Sequence, residues 1–275
     1  MATGTAAPTI VFSHGNGFPA GTYRQLIEPW RAVGCRVLAL EKFGHDPARP
    51  VTSNWPHLRD ELVHFIERAD AGPVFLVGHS LGGYLSLLAA SHRPDLARGV
   101  VLLDSPILGG WKARVLQMAK ATGVGERLSP GFVSKRRREQ WPSAEAAHGH
   151  FAAKSAFARW APGVLHDYIS AGTEARGGQQ RLTFDRRIET EIYNTLPHHL
   201  TRLLRTHPLT CPLAFIGGRE SVEVRRVGLR ATVRLTQGRI RWIAGSHLFP
   251  MERPADTAQA VLALLADFGL RLPDR

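Results

Sequence analysis

Six short apolar runs punctuate the chain, at residues 9–13, 36–41, 74–78, 99–104, 213–217 and 239–243, each bounded by turn-forming or charged residues. Their hydrophobicity is continuous, as in Val74-Phe-Leu-Val-Gly78 and Gly99-Val-Val-Leu-Leu-Asp104, instead of alternating. Continuous apolar runs of strand length belong to strands covered on both faces, which is the condition of a parallel sheet. Between them lie segments of helical period: residues 22–31; residues 55–68, opened by Asn54 and Pro56; residues 81–92, stopped ahead of Pro94; and residues 254–268, closed by Gly269. Strand and helix in alternation predict an α/β, doubly wound fold with six buried, mainly parallel strands. The alternation breaks between residues 107 and 208. There no run reads as a strand, residues 188–196 read as helical, and turn clusters stand at Gly123-Val-Gly125, Ser129-Pro-Gly131 and Gly177-Gly178. This stretch is expected to be a mainly helical lid, dividing the chain into a core of residues 1–106 and 209–275 and a cap of residues 107–208.

Composition narrows the class. With 275 residues, 44% hydrophobic and 21% charged, the chain is globular and long enough for one core with an insertion. Cys35 and Cys211 stand far apart with no second cysteine or histidine at ligand spacing, so neither a zinc site nor a disulfide framework is expected. The opening Met1-Ala-Thr-Gly-Thr5 has no basic residue before an apolar stretch, and no run of about 18 apolar residues occurs anywhere. A cytoplasmic protein without a membrane span is the expectation. The net charge of +12 is unevenly spread: residues 1–106 hold nine basic and nine acidic groups, residues 107–208 sixteen and eight, residues 209–275 ten and six. The one dense cluster, Lys135-Arg-Arg-Arg138, has no aromatic platform beside it, so it reads as a solvated face and no nucleic-acid partner is expected.

Candidate chemistry enters at Gly78-His79-Ser80-Leu81-Gly82, a G-x-S-x-G sequence between a predicted buried strand and a predicted apolar helix. A strand, a sharp turn and a helix leave the serine oxygen exposed above the sheet, and the helix N-terminus favours negative charge developing there. Serine at its ordinary pKa is a weak nucleophile, so such a site needs a base and oxyanion donors. Of the thirteen histidines, His247 in Ala244-Gly-Ser-His-Leu248 lies in the loop after the last predicted strand, at the end of the sheet where open α/β folds keep their ligands.

These motifs, with Ser13-His14-Gly15-Asn16-Gly17-Phe18-Pro19 after the first run, resemble those of the α/β-hydrolase superfamily over essentially the whole chain. The resemblance implies an α/β-hydrolase fold with Ser80 as nucleophile, His247 as base, and the backbone N–H groups of Asn16 and Leu81 as the oxyanion hole. It also makes His14 a structural neighbour and His45, in Phe43-Gly-His-Asp-Pro47, a loop hydrogen-bonder. Only eight residues precede the first run, so the two antiparallel strands that usually open such a sheet are expected to be absent. Similar enzymes that use an aspartate nucleophile act on haloalkanes and epoxides. Serine at position 80 instead implies acyl transfer to water from a small-molecule carboxylic ester or thioester, with no cofactor and no metal. A cofactor-free haloperoxidase or perhydrolase, or a catalytically silent binding protein of this fold, stays as an alternative. The basic lid leaves open an anionic substrate such as an acyl thioester of coenzyme A.

Two carboxylates compete for the acid of the triad. Glu220, in Gly217-Gly-Arg-Glu220, stands where the superfamily most often places it, though usually as aspartate. Asp104, in Leu102-Leu-Asp-Ser-Pro106, follows the preceding strand, from which some members take theirs. Glutamate is the longer side chain and no proline braces its loop, so Asp104 is favoured.

Overall fold

The runs of Val, Ile, Leu and Phe form the strands that their continuity predicts, because every side chain of such a strand has a helix layer to pack against. The computed structural model describes residues 7–121 and 131–272. In chain order the central sheet is built from β1 (Thr9–Ser13), β2 (Arg36–Ala39), β3 (Val74–His79), β4 (Ala97–Leu103) and two late strands, Leu213–Gly218 and Ile240–Ile243. Between β1 and β4 come α1 (Arg24–Ala32), α2 (Pro56–Arg68) and α3 (Leu81–His92). Residues 107–208 then contribute α4 (Gly110–Ala121), α5 (Gly131–Ser134), β5 (Gln140–Trp141), α6 (Ala144–Ala152), α7 (Ser155–Ala158), α8 (Val164–Gly172), β6 (Thr173–Arg176), β7 (Gln179–Leu182), α9 (Arg186–Asn194) and α10 (Leu200–Thr206). The late strands are β8 and β9, joined by α11 (Val222–Val227) and α12 (Arg230–Thr236); α13 (Phe249–Glu252) and α14 (Pro254–Asp267) close the chain.

The six strands run in the order β2-β1-β3-β4-β8-β9, all parallel. Side chains alternate between two apolar layers. Ile10 and Phe12 join Leu26, Trp30 and Val261 from α1 and α14 on one face, while Val11 joins Leu58, Leu62, Leu85 and Leu88 from α2 and α3 on the other. Two expectations need correction at the edges. β2 and β9 are only partly buried, Trp242 being 37% exposed, because an edge strand has a neighbour on one side only. The strand expected to reach residue 41 stops at Ala39.

The segment 107–208 departs further from expectation. It contains an antiparallel sheet in the order β5-β7-β6 whose turn is Gly177-Gly178, both at positive φ of 59° and 72°, a conformation that glycine adopts at no steric cost. Its strands, Thr-Glu-Ala-Arg and Gln-Gln-Arg-Leu, are polar and largely exposed, so no apolar pattern announces them. The helix read at residues 188–196 forms earlier, as α9, with Asp185 capping the Arg187 N–H at 2.7 Å. Gly123-Val-Gly125 and Ser129-Pro130 lie outside the described residues, as does the N-terminal Met1-Ala-Thr-Gly-Thr5. The segment is no separate globule. Trp141, Phe151, Trp160 and Tyr168 share one apolar cluster with β1, β3 and α1, and Phe184, Ile192, Leu200 and Leu204 share the other. No helix among the described residues is long and apolar enough to cross a membrane. Both cysteines are free, and burial pushes their thiols up.

Candidate active site

The chain order reverses between β1 and β3, since β2 lies outside β1 and the chain then crosses back to continue outward from β3. The two strands' carboxyl ends therefore diverge into loops on opposite faces and leave a crevice between them. Ser80 occupies one side of it. It is the residue before α3, with φ 52° and ψ −112°, a strained backbone held by Ser80 N–H donating to Leu103 O (2.9 Å) and Ser105 Oγ donating to Ser80 O (2.9 Å). The turn is tight enough that a Cβ on Gly82 would lie 2.0 Å from the Ser13 carbonyl oxygen, so only glycine fits there. Asn16 and Gly15, from the loop after β1, line the same cavity of about 360 Å³ as Ser80, together with Phe18, Val222 and His247. Leu81 begins α3, so its N–H has no partner within the helix; its side chain is buried.

His247 is fixed from both sides. Its Nδ1 lies 2.7 Å from Asp104 Oδ2. A carboxylate accepts, so Nδ1 carries the hydrogen and Nε2 is left with its lone pair. Its backbone carbonyl accepts from His79 Nε2 at 2.9 Å. Since that carbonyl can only accept, His79 Nδ1 accepts in turn from the Tyr23 hydroxyl (2.7 Å), whose oxygen receives the Gly15 N–H (3.0 Å). A single directed chain thus ties the loop after β1 to the His247 loop through the residue beside Ser80. Burial, with His247 close by, holds His79 well below the ordinary range and neutral. The preceding Ser246 is clamped by Glu252, which accepts its N–H at 2.9 Å and its hydroxyl at 2.5 Å.

Asp104, on β4's exit, has φ 46° and is completely buried. Its Oδ1 accepts the Gly218 N–H (2.7 Å), and Oδ2 accepts the Ser221 hydroxyl (2.5 Å) as well as His247. Burial alone would lower the His247 pKa, but the hydrogen bond and charge of Asp104, with the charge of Glu223, raise it overall. Glu220 goes elsewhere: it is exposed and pairs with Arg159 at 2.9 Å, a partner from the segment below residue 208 and neither of its neighbours in sequence. Of the two candidate carboxylates, the structure brings Asp104 to His247, while Glu220 lines the cavity wall and is paired with Arg159. Asp104, Glu223 and His247 also group closely enough to face a cation, with Asp104 Oδ2 accepting from two donors and Oδ1 from one.

Sequence reasoning missed several residues here. Glu223 stands 3.9 Å from His247 Nδ1. Ser221 both bonds Asp104 and caps α11 through the Val224 N–H (3.1 Å); a serine ahead of an apolar stretch was a readable signal for the cap. Arg137, expected in a solvated cluster, is instead buried against Glu189 (2.8 Å), bonds the Tyr168 hydroxyl, and lies over the Phe151 ring at 5.5 Å. This pair abuts the Asn16 loop: Asn16 Nδ2 donates to the Glu189 carbonyl (2.9 Å), and a Cβ on Gly17 (φ 78°) would lie 2.8 Å from Glu189 Oε1. Two expected roles match the observed bonds. His14 donates from Nδ1 to Gly15 O (2.8 Å) and accepts the Phe43 N–H at Nε2 (3.1 Å), while His45 links Phe43 O and the Asp185 N–H at 3.0 Å each. In the same segment, Trp111 and Met118 are 70% and 68% exposed.

A family model described as "Alpha/beta hydrolase family" matches residues 10–260. Monoglyceride lipase of Rattus norvegicus is 33% identical over 113 residues, which are 38% of this chain and 37% of that protein. The chain's match thus spans little more than a third of that relative's length. The sn-1-specific diacylglycerol lipase ABHD11 of Mus musculus is 23% identical over 277 residues, 94% of this chain and 81% of that protein. Among solved structures, E-2-(acetamidomethylene)succinate hydrolase superposes with a TM-score of 0.72 at 20% identity, covering 94% of this chain and 92% of that chain.

Proposed function

The chain belongs to the alpha/beta hydrolase family, and from that premise we propose that it hydrolyses a small-molecule carboxylic ester or thioester through an acyl-enzyme on Ser80. The observation that carries this reading is the 2.7 Å bond from His247 Nδ1 to the buried Asp104, beside a serine at a strained strand-to-helix turn in the same cavity. His247 Nε2 takes the Ser80 proton as Oγ attacks the acyl carbon, and Asp104 holds the tautomer and balances the imidazolium that forms. The backbone N–H groups of Asn16 and Leu81 receive the oxyanion, the second from a helix N-terminus that favours negative charge. Collapse expels the alcohol or thiol with the proton from His247. A water then attacks the acyl carbon, losing its proton to the same nitrogen, and the acid leaves.

Relatives named as monoglyceride and diacylglycerol lipases support an ester bond as the target. A cavity of about 360 Å³ lies at the small end for ligand pockets, and Phe18, Val222 and Leu248 in its wall favour an apolar acyl part that is short. Residues 107–208 act as the cap: Tyr193 of that segment lines the cavity, and Phe18 in the cavity wall packs edge-on to Trp160 (5.8 Å) and Tyr168 (5.7 Å) behind it. These steps use protein side chains, backbone N–H groups and water. A fluorophosphonate probe and a series of p-nitrophenyl esters test the reading together. Ser80 is expected to be labelled, and Ser80→Ala to lose labelling and turnover while keeping its circular dichroism. Turnover within about tenfold of the parent in Ser80→Ala would refute the nucleophile.

A further inference from the structure

A second concavity, of about 800 Å³, opens where α4, α10 and α12 meet, separated from the Ser80 cavity by α11. Lys112, Arg114, Arg202, Arg205, Arg230 and Arg234 line it, and among the described residues no Asp or Glu does. The spacing explains the convergence. Arg202 and Arg205 are three apart on α10, and Arg230 and Arg234 four apart on α12, so each helix turns two guanidinium groups to the same side. Among the described residues none of the six is ion-paired, whereas arginines elsewhere commonly are, as in Arg24–Asp167, Arg93–Asp95, Arg137–Glu189 and Arg159–Glu220. Like charges gathered in one concavity repel and lower the stability of the fold, while they raise the local concentration of anions. Lys112 is positioned and not merely exposed: its Nζ donates to the Arg226 and Val227 carbonyls at the end of α11, at 2.6 and 3.1 Å. Beside it Trp111 presents its indole to solvent, with the Lys112 ammonium 5.9 Å from the ring centroid.

From these features we infer that the groove is a binding site for a small phosphate-bearing anion of the nucleoside diphosphate class. Planar guanidinium forks match phosphate oxygens two at a time, and several of them suit two adjoining phosphates. The indole offers a face on which a base stacks. The volume is that of a small-molecule site. The site stands apart from the Ser80 cavity, so this inference holds or fails independently of the proposed hydrolysis.

Titration of the full chain with ADP and with inorganic pyrophosphate, read by heat and by tryptophan fluorescence, tests it. The expected result is saturable one-to-one binding with Kd below about 100 μM at low salt, weakening as salt rises. Arg202→Gln and Arg230→Gln are each expected to raise Kd at least tenfold, with Arg176→Gln on the distant β6 as the unchanged control and circular dichroism verifying the fold of all three. ADP binding tighter than pyrophosphate, with the difference lost in Trp111→Ala, identifies a nucleotide; equal affinities identify the diphosphate as the whole of what is recognised. Absence of saturation up to about 1 mM, a Kd indifferent to both groove substitutions, or tighter binding of a single-stranded oligonucleotide than of either probe would overturn the inference.

Discussion

The carboxyl end of the sheet and the segment of residues 107–208 above it both bury charge, and they satisfy it in opposite ways. In the upper segment Arg137 and Glu189, 13% and 8% exposed, neutralise each other, and the Tyr168 hydroxyl accepts from the other terminal guanidinium nitrogen. At the sheet, Asp104 pairs with no arginine or lysine among the described residues. Its fully buried carboxylate is held by the Gly218 N–H and the Ser221 hydroxyl, and its remaining direction is given to His247, whose side chain is 21% exposed to the cavity. A closed ion pair fixes walls; a carboxylate held by neutral donors keeps its charge available to a group that must change protonation state. Under the proposed mechanism, the first kind of buried charge supports architecture and the second supports chemistry.

The largest expected effect breaks the sheet side of this comparison. Asp104→Asn preserves the shape but cannot hold the same tautomer, so kcat should fall by roughly 10³ to 10⁴, while Glu220→Gln, which only releases Arg159, should cost less than about tenfold. Both are measured on one ester at one pH with folding verified. The reverse ranking would move the acid to Glu220.

The part of this arrangement that could be read from sequence is the part that depends on local pattern. Ser80 and Asn16 follow apolar runs that are buried along their whole length, and His247 follows the last strand, so each was placed by the strand before it. The acid was ambiguous because Asp104 and Glu220 each follow a strand. What separates them is a contact between residues 61 positions apart, Arg159 with Glu220, which no periodicity carries. The same holds for Arg137: four basic residues in a row look solvated until Glu189, 52 positions later, reaches the third of them. The polar strands β6 and β7 had no apolar alternation to announce them, although the Gly177-Gly178 turn that joins them was visible.

The upper side of the comparison is tested by opening its ion pair. Glu189→Gln leaves the Arg137 guanidinium buried without a counter-charge and should cost about 3–5 kcal/mol in denaturant unfolding, whereas Arg137→Met combined with Glu189→Leu, which removes both charges, should cost far less. A double variant as unstable as the single one would mean that the hydrogen bonds to Tyr168 and the Asn16 loop, and not the charge balance, hold the wall.

Between the two regions lies the neutral histidine His14, whose pKa burial lowers to about 4. With an unfolded value near 6.5, the unfolded chain binds the proton first as pH falls. The stability that the neutral ring contributes is present above about pH 6.5 and drains away down to about pH 4, amounting to about 3 kcal/mol. His79, also held low by burial, acts in the same direction. Thermal unfolding from pH 7 to pH 5 should show a falling midpoint that flattens in His14→Gln, provided the variant folds at pH 7. An unchanged slope in that variant would place the acid sensitivity elsewhere.

The smallest expected effect sharpens the contrast within the sheet site itself, between the buried Asp104 and the half-exposed Glu223. Both raise the His247 pKa, but Asp104 does so through a 2.7 Å bond and Glu223 through its charge at 3.9 Å. In the proposed mechanism His247 must be neutral to take the Ser80 proton, so activity should rise with pH through its raised pKa. Glu223→Gln removes one of the raising charges, so the acid limb of kcat/KM should move to lower pH and the enzyme should gain activity below the limb. The plateau kcat should stay within about fivefold of the parent, since a charge this exposed is well screened, and added salt should shrink the shift. A limb that moves to higher pH would show that Glu223 does not face the imidazolium, and a plateau loss as large as that of Asp104→Asn would make Glu223 the carboxylate that orients His247.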